Sequence, residues 1–326
     1  MINLQKMPKV ELHLHLDGSV KVETAAKILN KDINYIKNEM IAKDKCQDLN
    51  EYLTKFELSS EILQTKENLQ IVSHQLVNDL KSDGVIYAEI RFAPMKHIKK
   101  GLTKEEVIES VLKGLDQEEV KTNLILCMMR DASYEENKQV IDLAEEYLNK
   151  GVCAIDLAGA EALYKTEKFQ KLFVYASSKN IPFTIHAGEA DGKDSIKKAI
   201  EFGALRLGHG IRITEDEKLI EQVKEKNIHL EICPTSNVQT NVIDLYSNHP
   251  IKKFLKENIS LSINTDNRTV SNITLTKEYE KLVKYLNFTE EDLIKTNIMA
   301  INHSFLSKDE KENLLEEYNK ILNKLT

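Results

Sequence analysis

His13 and His15 lie two residues apart in VELHLHLDG, the stretch from Val10 to Gly18. Its apolar and polar residues alternate, which predicts a strand, and residues at i and i+2 of a strand project from one face. With Leu12 and Leu14 packed on the other face, both imidazoles point into whatever the strand encloses. The theme recurs along the chain: His186 and Glu189 in FTIHAGE, His209 in LGHG, and Asp266 with Asn267 in SINTDN. Each group sits at the C-terminal end of a strand-like run, so four of the nine histidines share one rim with a Glu and an Asp. Buried polar groups cost about 1–3 kcal/mol each when unpaired, so such a cluster needs a common partner. A divalent transition metal supplies one. Imidazole and carboxylate ligands with no thiolate suit a catalytic zinc, and His13, His15, His186 and Asp266 form a four-ligand set with room for a water. Zinc lowers the pKa of such a water toward ~7, which leaves Glu189 and His209 free for proton traffic.

Positioning these residues on one rim requires a particular architecture. Eight β-rich runs (10–16, 84–92, 122–130, 151–159, 181–189, 205–210, 228–236 and 259–267) alternate with stretches of helical period such as NLQIVSHQLVNDLKSDG and KLIEQVKEKN. That alternation predicts a parallel sheet of the α/β class, and the count predicts a closed (β/α)8 TIM barrel. An open doubly wound sheet is the alternative, but no GxGxxG follows the first strand. No low-complexity linker or repeat divides the chain, so a single barrel domain over 1–326 is expected. Residues 17–83 exceed what one crossover helix needs, and extra material after a barrel strand sits over the C-terminal mouth. Within it LNEYLTKFEL (49–58) could cap a pocket, with Phe56 and Leu58 as its contacts. The C-terminal SKDEKENLLEEYNKILNKL reads as a solvated amphipathic helix. At the end of the fourth strand AIDLAG carries no lysine, so the bridging carbamylated lysine of some two-metal barrels is missing and one metal per chain is expected.

Composition narrows the partners. Acidic residues outnumber basic ones, 52 to 45, which argues against nucleic acid or an anionic membrane surface. No apolar run approaches the ~18 residues of a membrane span. Cys46, Cys127, Cys153 and Cys233 form no CxxC pair, and three of them lie in apolar runs where a reduced cysteine behaves as a small hydrophobe. MINLQKMPKVE has no apolar signal core, so a cytoplasmic protein acting on a small molecule is expected. Nothing in the sequence fixes an oligomeric state.

Taken in order, MPKVELHLHLDGS, KFEL, YAEIRFAP, AIDLAGAE, FTIHAGE, LGHGIRI, LEICPTSN and SINTDN resemble the adenosine/AMP deaminase family of the metal-dependent amidohydrolases. The resemblance implies one zinc ion on His13, His15, His186 and Asp266. It implies that Glu189 protonates N1 of a purine, and that an activated water oriented by His209 and Asp266 adds to C6. Adenosine, and with it 2′-deoxyadenosine, would thus become inosine and ammonia in purine salvage. The backbone amide of Gly159 would meet purine N3, Asn267 would meet N7, and Asp17 would accept from the ribose 5′-hydroxyl, beside His15 as a further binding residue. Many members of the family have two consecutive aspartates where this chain has Asp266 and Asn267; an aspartate must be protonated to donate to N7, whereas an asparagine amide donates at any pH. Adenine deaminases of this pattern resemble HLEG rather than HLDG and lack DLAG. Deaminases of modified or 5′-altered adenosines remain compatible. The cytidine-type zinc deaminases differ, with HxE and PCxxC where this chain has HxxE and CPTS. Two other classes stay open: a silent purine- or metal-binding barrel, and a zinc hydrolase of amides or esters on the same fold.

Overall fold

A computed structural model describes residues 3–118 and 120–325. Its strands are β1 (Lys9–His15), β2 (Val85–Phe92), β3 (Lys121–Met129), β4 (Val152–Ala158), β5 (Thr184–Ala187), β6 (Arg206–His209), β7 (His229–Ile232) and β8 (Leu261–Ile263). All pair in parallel, in the orders β1-β2-β3-β4 and β5-β6-β7-β8. Two narrow seams join the halves, a bridge between Ile155 and Phe183 and another between Leu14 and Asp266. At the second seam His15 N–H donates to the Asp266 carbonyl at 2.7 Å and Asp266 N–H to the His13 carbonyl at 3.0 Å. The ring of eight parallel strands with intervening helices is the expected (β/α)8 architecture.

The later strands are shorter than the apolar runs that predicted them. Pairing stops where the backbone turns: His209 and Asp266 each have φ of 62°, and Gly188 has φ of 74°. After β7 the chain passes directly into a helix at Pro234–Gln239, so the end of the 228–236 run is helical. Proline at the first helical turn, where its missing N–H costs nothing, explains that switch.

Alternation sorts side chains as expected. Val10 and Leu12 of β1 face outward onto Ala300, Ile301, Leu314 and Tyr318. Leu314 and Tyr318 are the buried residues of the C-terminal helix Lys308–Leu322, whose remaining surface is polar, as an amphipathic helix requires. Its start is fixed by a capping box between Ser307 and Glu310. Between β1 and β2 the chain forms helices Val22–Leu29, Ile33–Met40, Leu49–Leu53, Glu57–Ile62 and the crossover helix Lys66–Ser82. Leu49–Leu53 caps the barrel mouth, and the Tyr52 hydroxyl ties it to Ser271 Oγ at 2.7 Å. Phe56 lines the cavity below together with Leu49, Tyr52 and Leu53, but Leu58 packs into the main core instead. A 3-10 turn at Thr54–Phe56 rotates the helix and carries Leu58 off the cavity face. All four cysteines are buried and unpaired. Among the described residues no helix is long and apolar enough to cross a membrane.

Candidate active site

The rim residues converge. Ligand atoms of His13, His15, His186 and Asp266 all lie within 4.8 Å of one another. His13 Nε2 is 3.3 Å and His15 Nε2 3.5 Å from Asp266 Oδ1, and His15 Nε2 is 3.3 Å from His186 Nε2. The fold makes this arrangement locally: His13, His15 and Asp266 are the residues whose backbones exchange the seam hydrogen bonds. Asp266 occupies the left-handed region to do so, a conformation costing on the order of 1–3 kcal/mol outside glycine. Burial pushes the His15 imidazole down to about 3, so it stays neutral with a lone pair to offer. At His13, burial and Arg91 act against protonation, yet the Asp266 and Glu231 carboxylates outweigh them and raise its pKa. The site therefore favours positive charge at that point.

A metal fits these residues. His13 Nε2 is buried and makes no hydrogen bond, a ligand atom aimed at the cluster beside Asp266 Oδ1. Second-layer groups hold the rings by their other nitrogens: His13 Nδ1 is 2.8 Å from Glu231 Oε2, and His186 Nδ1 is 2.8 Å from Asp156 Oδ2. Such carboxylate–imidazole pairs orient metal ligands and fix their tautomer. A second grouping, His13, His209, Cys233 and Asp266, is also compact. Burial raises the Cys233 thiol well above its ordinary range and its Sγ–H points to the Glu231 carbonyl at 3.6 Å. A thiol is a poor ligand until deprotonated, so the three-histidine set is the better metal site.

Beneath the rim lies a feature that sequence reasoning missed. Arg91 Nη1 meets Asp156 at 2.9 Å and Arg91 Nη2 meets Glu231 at 2.9 Å. Arg206 meets Glu231 at 2.7 Å and Glu89 at 2.6 Å. All five side chains are fully buried. The signal was present as charges at inward positions of EIRF, LRLGHG and LEICP, but alternation alone does not say who pairs with whom.

Glu189 stands 3.6 Å from His209, measured from Oε2 to Nε2. Burial, reinforced by the nearby Asp266 and Glu161 charges, raises its carboxyl well above the usual range and so favours the protonated form. The loop bearing it is held by Glu161, also missed from sequence. The Glu161 carboxylate accepts from the backbone N–H groups of Gly188, Glu189, Ala190 and Asp191 at 2.7, 3.0, 2.7 and 3.0 Å. His186 is anchored in turn, its carbonyl accepting from Arg130 Nη2 at 2.7 Å.

These groups open onto a cavity of about 670 Å³ that Asp17, Gly159 and Asn267 also line. That is the size of a small-molecule site. Asp17 lies beyond the end of β1 and faces the cavity. It is 3.8 Å from His97 Nε2, and its Oδ1 is buried with no hydrogen bond. Burial pushes the Asp17 carboxyl up, but His97 and His15 outweigh it and keep the group ionised. Gly159 is required by its φ of +104°, since an added Cβ would meet nothing closer than Met129 Cε at 3.4 Å. At Gly18 crowding does decide: a Cβ there would lie 1.8 Å from Asn267 Oδ1.

Comparison with known proteins agrees with this geometry. The profile of the adenosine deaminase family matches residues 8–321. An adenosine deaminase of Clostridium botulinum is 42% identical, covering 98% of this chain and 99% of its own. Among solved structures, an adenine deaminase from Arthrobacter aurescens superposes with a TM-score of 0.85 at 25% identity, over 97% of this chain and 99% of that one. An amidohydrolase from Burkholderia ambifaria with bound zinc shares the fold, with a TM-score of 0.88 at 19% identity, over 99% of this chain and 93% of that one. The chain belongs to the adenosine deaminase family and is a hydrolytic deaminase.

Proposed function

We propose that this protein converts adenosine and 2′-deoxyadenosine to the corresponding inosine nucleosides and ammonia, as one catalytic domain holding one zinc ion on His13, His15, His186 and Asp266. The observation that carries this reading is the placement of a buried Glu189, its carboxyl pKa raised by that burial, in the same cavity as a compact three-histidine, one-aspartate set. When bound, zinc supplies a water acidic enough to lose a proton near neutral pH. The protein's own groups do the rest. Glu189 delivers its proton to purine N1, which breaks ring conjugation and makes C6 electrophilic. Asp266 and His209 orient the attacking water, and His209 offsets charge developing on its oxygen. Collapse at C6 expels ammonia: of the two protons of the added water, one leaves with the amino group as NH3 and the other restores Glu189, whose own proton stays on N1.

Recognition follows from the lining. The Gly159 amide donates to N3, and the Asn267 amide donates to N7 without needing to be protonated first. The unpaired Asp17 Oδ1 accepts from the ribose 5′-hydroxyl, and this feature favours a nucleoside over free adenine or a 5′-phosphate. Four buried unpaired cysteines fit a reducing, cytoplasmic setting. The test is an assay of adenosine, 2′-deoxyadenosine, adenine and a generic ester, followed by absorbance and ammonia release, with metal content by elemental analysis. Turnover confined to the nucleosides, with about one zinc per chain as a four-ligand site implies, supports the proposal. Preference for adenine, for the ester, or two tightly held metals per chain would overturn the corresponding part.

A further inference from the structure

His209 is not alone on its inner side. A chain of buried hydrogen bonds runs from it to the main chain near the start of the helix Ile251–Lys256. The Ile251 N–H lies 3.2 Å from His249 Nδ1. His249 Nε2 lies 3.2 Å from Asn237 Oδ1, and Asn237 Nδ2 lies 3.0 Å from His209 Nδ1. His209, Asn237 and His249 are 1%, 0% and 3% exposed, so bulk water cannot replace any link.

Each link has two possible directions when taken alone, because a neutral imidazole has two tautomers and an amide can be flipped. The first link removes that freedom. A backbone N–H can only donate, so His249 Nδ1 must accept and the ring proton must be on Nε2. That proton makes Asn237 present its oxygen to His249, which leaves its NH₂ facing His209. His209 Nδ1 must then accept. A neutral His209 therefore has its proton on Nε2, the nitrogen facing Glu189 and the cavity, which is buried and makes no hydrogen bond. Burial favours the neutral form of the His249 ring, pushing it down to about 3.

We propose that His249 and Asn237 are positioning residues that hold His209 as the Nε2–H tautomer, with the direction of every bond set by the Ile251 main-chain N–H. His209 then meets the attacking oxygen as a hydrogen-bond donor and cannot accept a proton at that atom. This rests on the reaction proposed above for the role of the donor, but the tautomer itself does not depend on which substrate is used.

The direct test is nitrogen NMR of the metal-loaded protein labelled with ¹⁵N-histidine, the His209 signals being identified by their loss in H209N. The expected pattern is a protonated Nε2 and a bare Nδ1. In N237D the introduced carboxylate can only accept, so it draws a proton onto Nδ1. Loss of one oriented donor at a developing charge typically costs about 10²-fold or more in kcat, and KM for adenosine should move by less than about threefold. H249F, which frees Asn237 to flip, should lower kcat by about tenfold, while H249Q, which keeps an acceptor and a donor, should restore it to within about threefold. Zinc content and inosine binding should stay near the parent values in all three. A parent His209 protonated on Nδ1 overturns the proposal, as does N237D with a parent-like His209 spectrum. If His249 merely caps its helix, H249F lowers the melting temperature while kcat and the His209 signals stay put, and that result also overturns it. Should adenosine prove not to be the substrate, the NMR result still decides the tautomer.

Discussion

Two buried polar layers lie along the same strands and differ in how they are paired. In the lower layer Glu89, Arg91, Asp156, Arg206 and Glu231 each face an opposite charge within 3 Å, the separations running from 2.6 to 2.9 Å. In the upper layer His13 Nε2, His209 Nε2, Asp17 Oδ1 and Asn267 Oδ1 are buried with no hydrogen bond, and their residues sit around one cluster and one cavity. Burial and charge are common to both layers. What separates a scaffold from a site is where the unused valence points. The layers are also coupled, because Glu231 and Asp156 belong to the lower network while gripping His13 and His186 of the upper one. A rigid base below thus sets ring orientations above.

The sharpest way to break this comparison is Glu189→Gln. The upper layer should tolerate it structurally, since the side chain keeps its size and sheds only an acidic proton. Turnover should fall by about 10²–10⁴ from loss of general acid catalysis, with more to come from the lost activation of C6. Zinc content and melting temperature should hold near the parent values. A variant that keeps near-normal turnover with zinc confirmed would remove Glu189 from the acid role.

The lower layer should respond in the opposite sense. Arg206→Met strands Glu89 and one oxygen of Glu231 in a dry interior, and breaking a buried pair this way costs about 3–5 kcal/mol. Denaturant unfolding should show that loss, while the folded fraction still binds zinc. If Arg206→Met left stability unchanged and abolished zinc binding instead, the division between scaffold and site would be wrong.

That division was only half legible in the sequence. Residue type and period-2 alternation placed His13, His15, His186, His209, Glu189 and Asp266 on one rim, because strand ends of a barrel share a face whatever the loops do. The pairing of Arg91 with both Asp156 and Glu231 depends on the register between β2 and strands on the far side of the barrel, which no local pattern encodes. Glu161 grips four loop amides, an interaction set by backbone shape rather than by spacing. The mouth was misread at Leu58 because a 3-10 turn breaks the helical period there. Gly159 lines the cavity, and its positive φ is a backbone requirement that spacing alone does not reveal.

The smallest predicted effect concerns the edge of the upper layer, where an unpaired atom could be either a substrate contact or a structural residue. Asp17 precedes Gly18, and an aspartate there commonly serves the turn through its own backbone. Here the side chain instead faces His97 and His15, with Oδ1 left unpaired at the cavity wall. If that oxygen accepts the ribose 5′-hydroxyl, the bond is worth roughly 1.5–3 kcal/mol, or about ten- to a hundredfold in kcat/KM. Asp17→Ala should then lower kcat/KM for adenosine by that amount and leave 5′-deoxyadenosine almost untouched, so that the two substrates converge. The same carboxylate, kept ionised by its histidine neighbours, should make a 5′-phosphate unwelcome in the parent, and AMP should gain relative to adenosine in the variant. An equal loss on adenosine and 5′-deoxyadenosine would show that Asp17 acts by holding His97 and His15. That outcome would move it from the layer whose valence is open for substrate to the layer whose charges are paired within the protein.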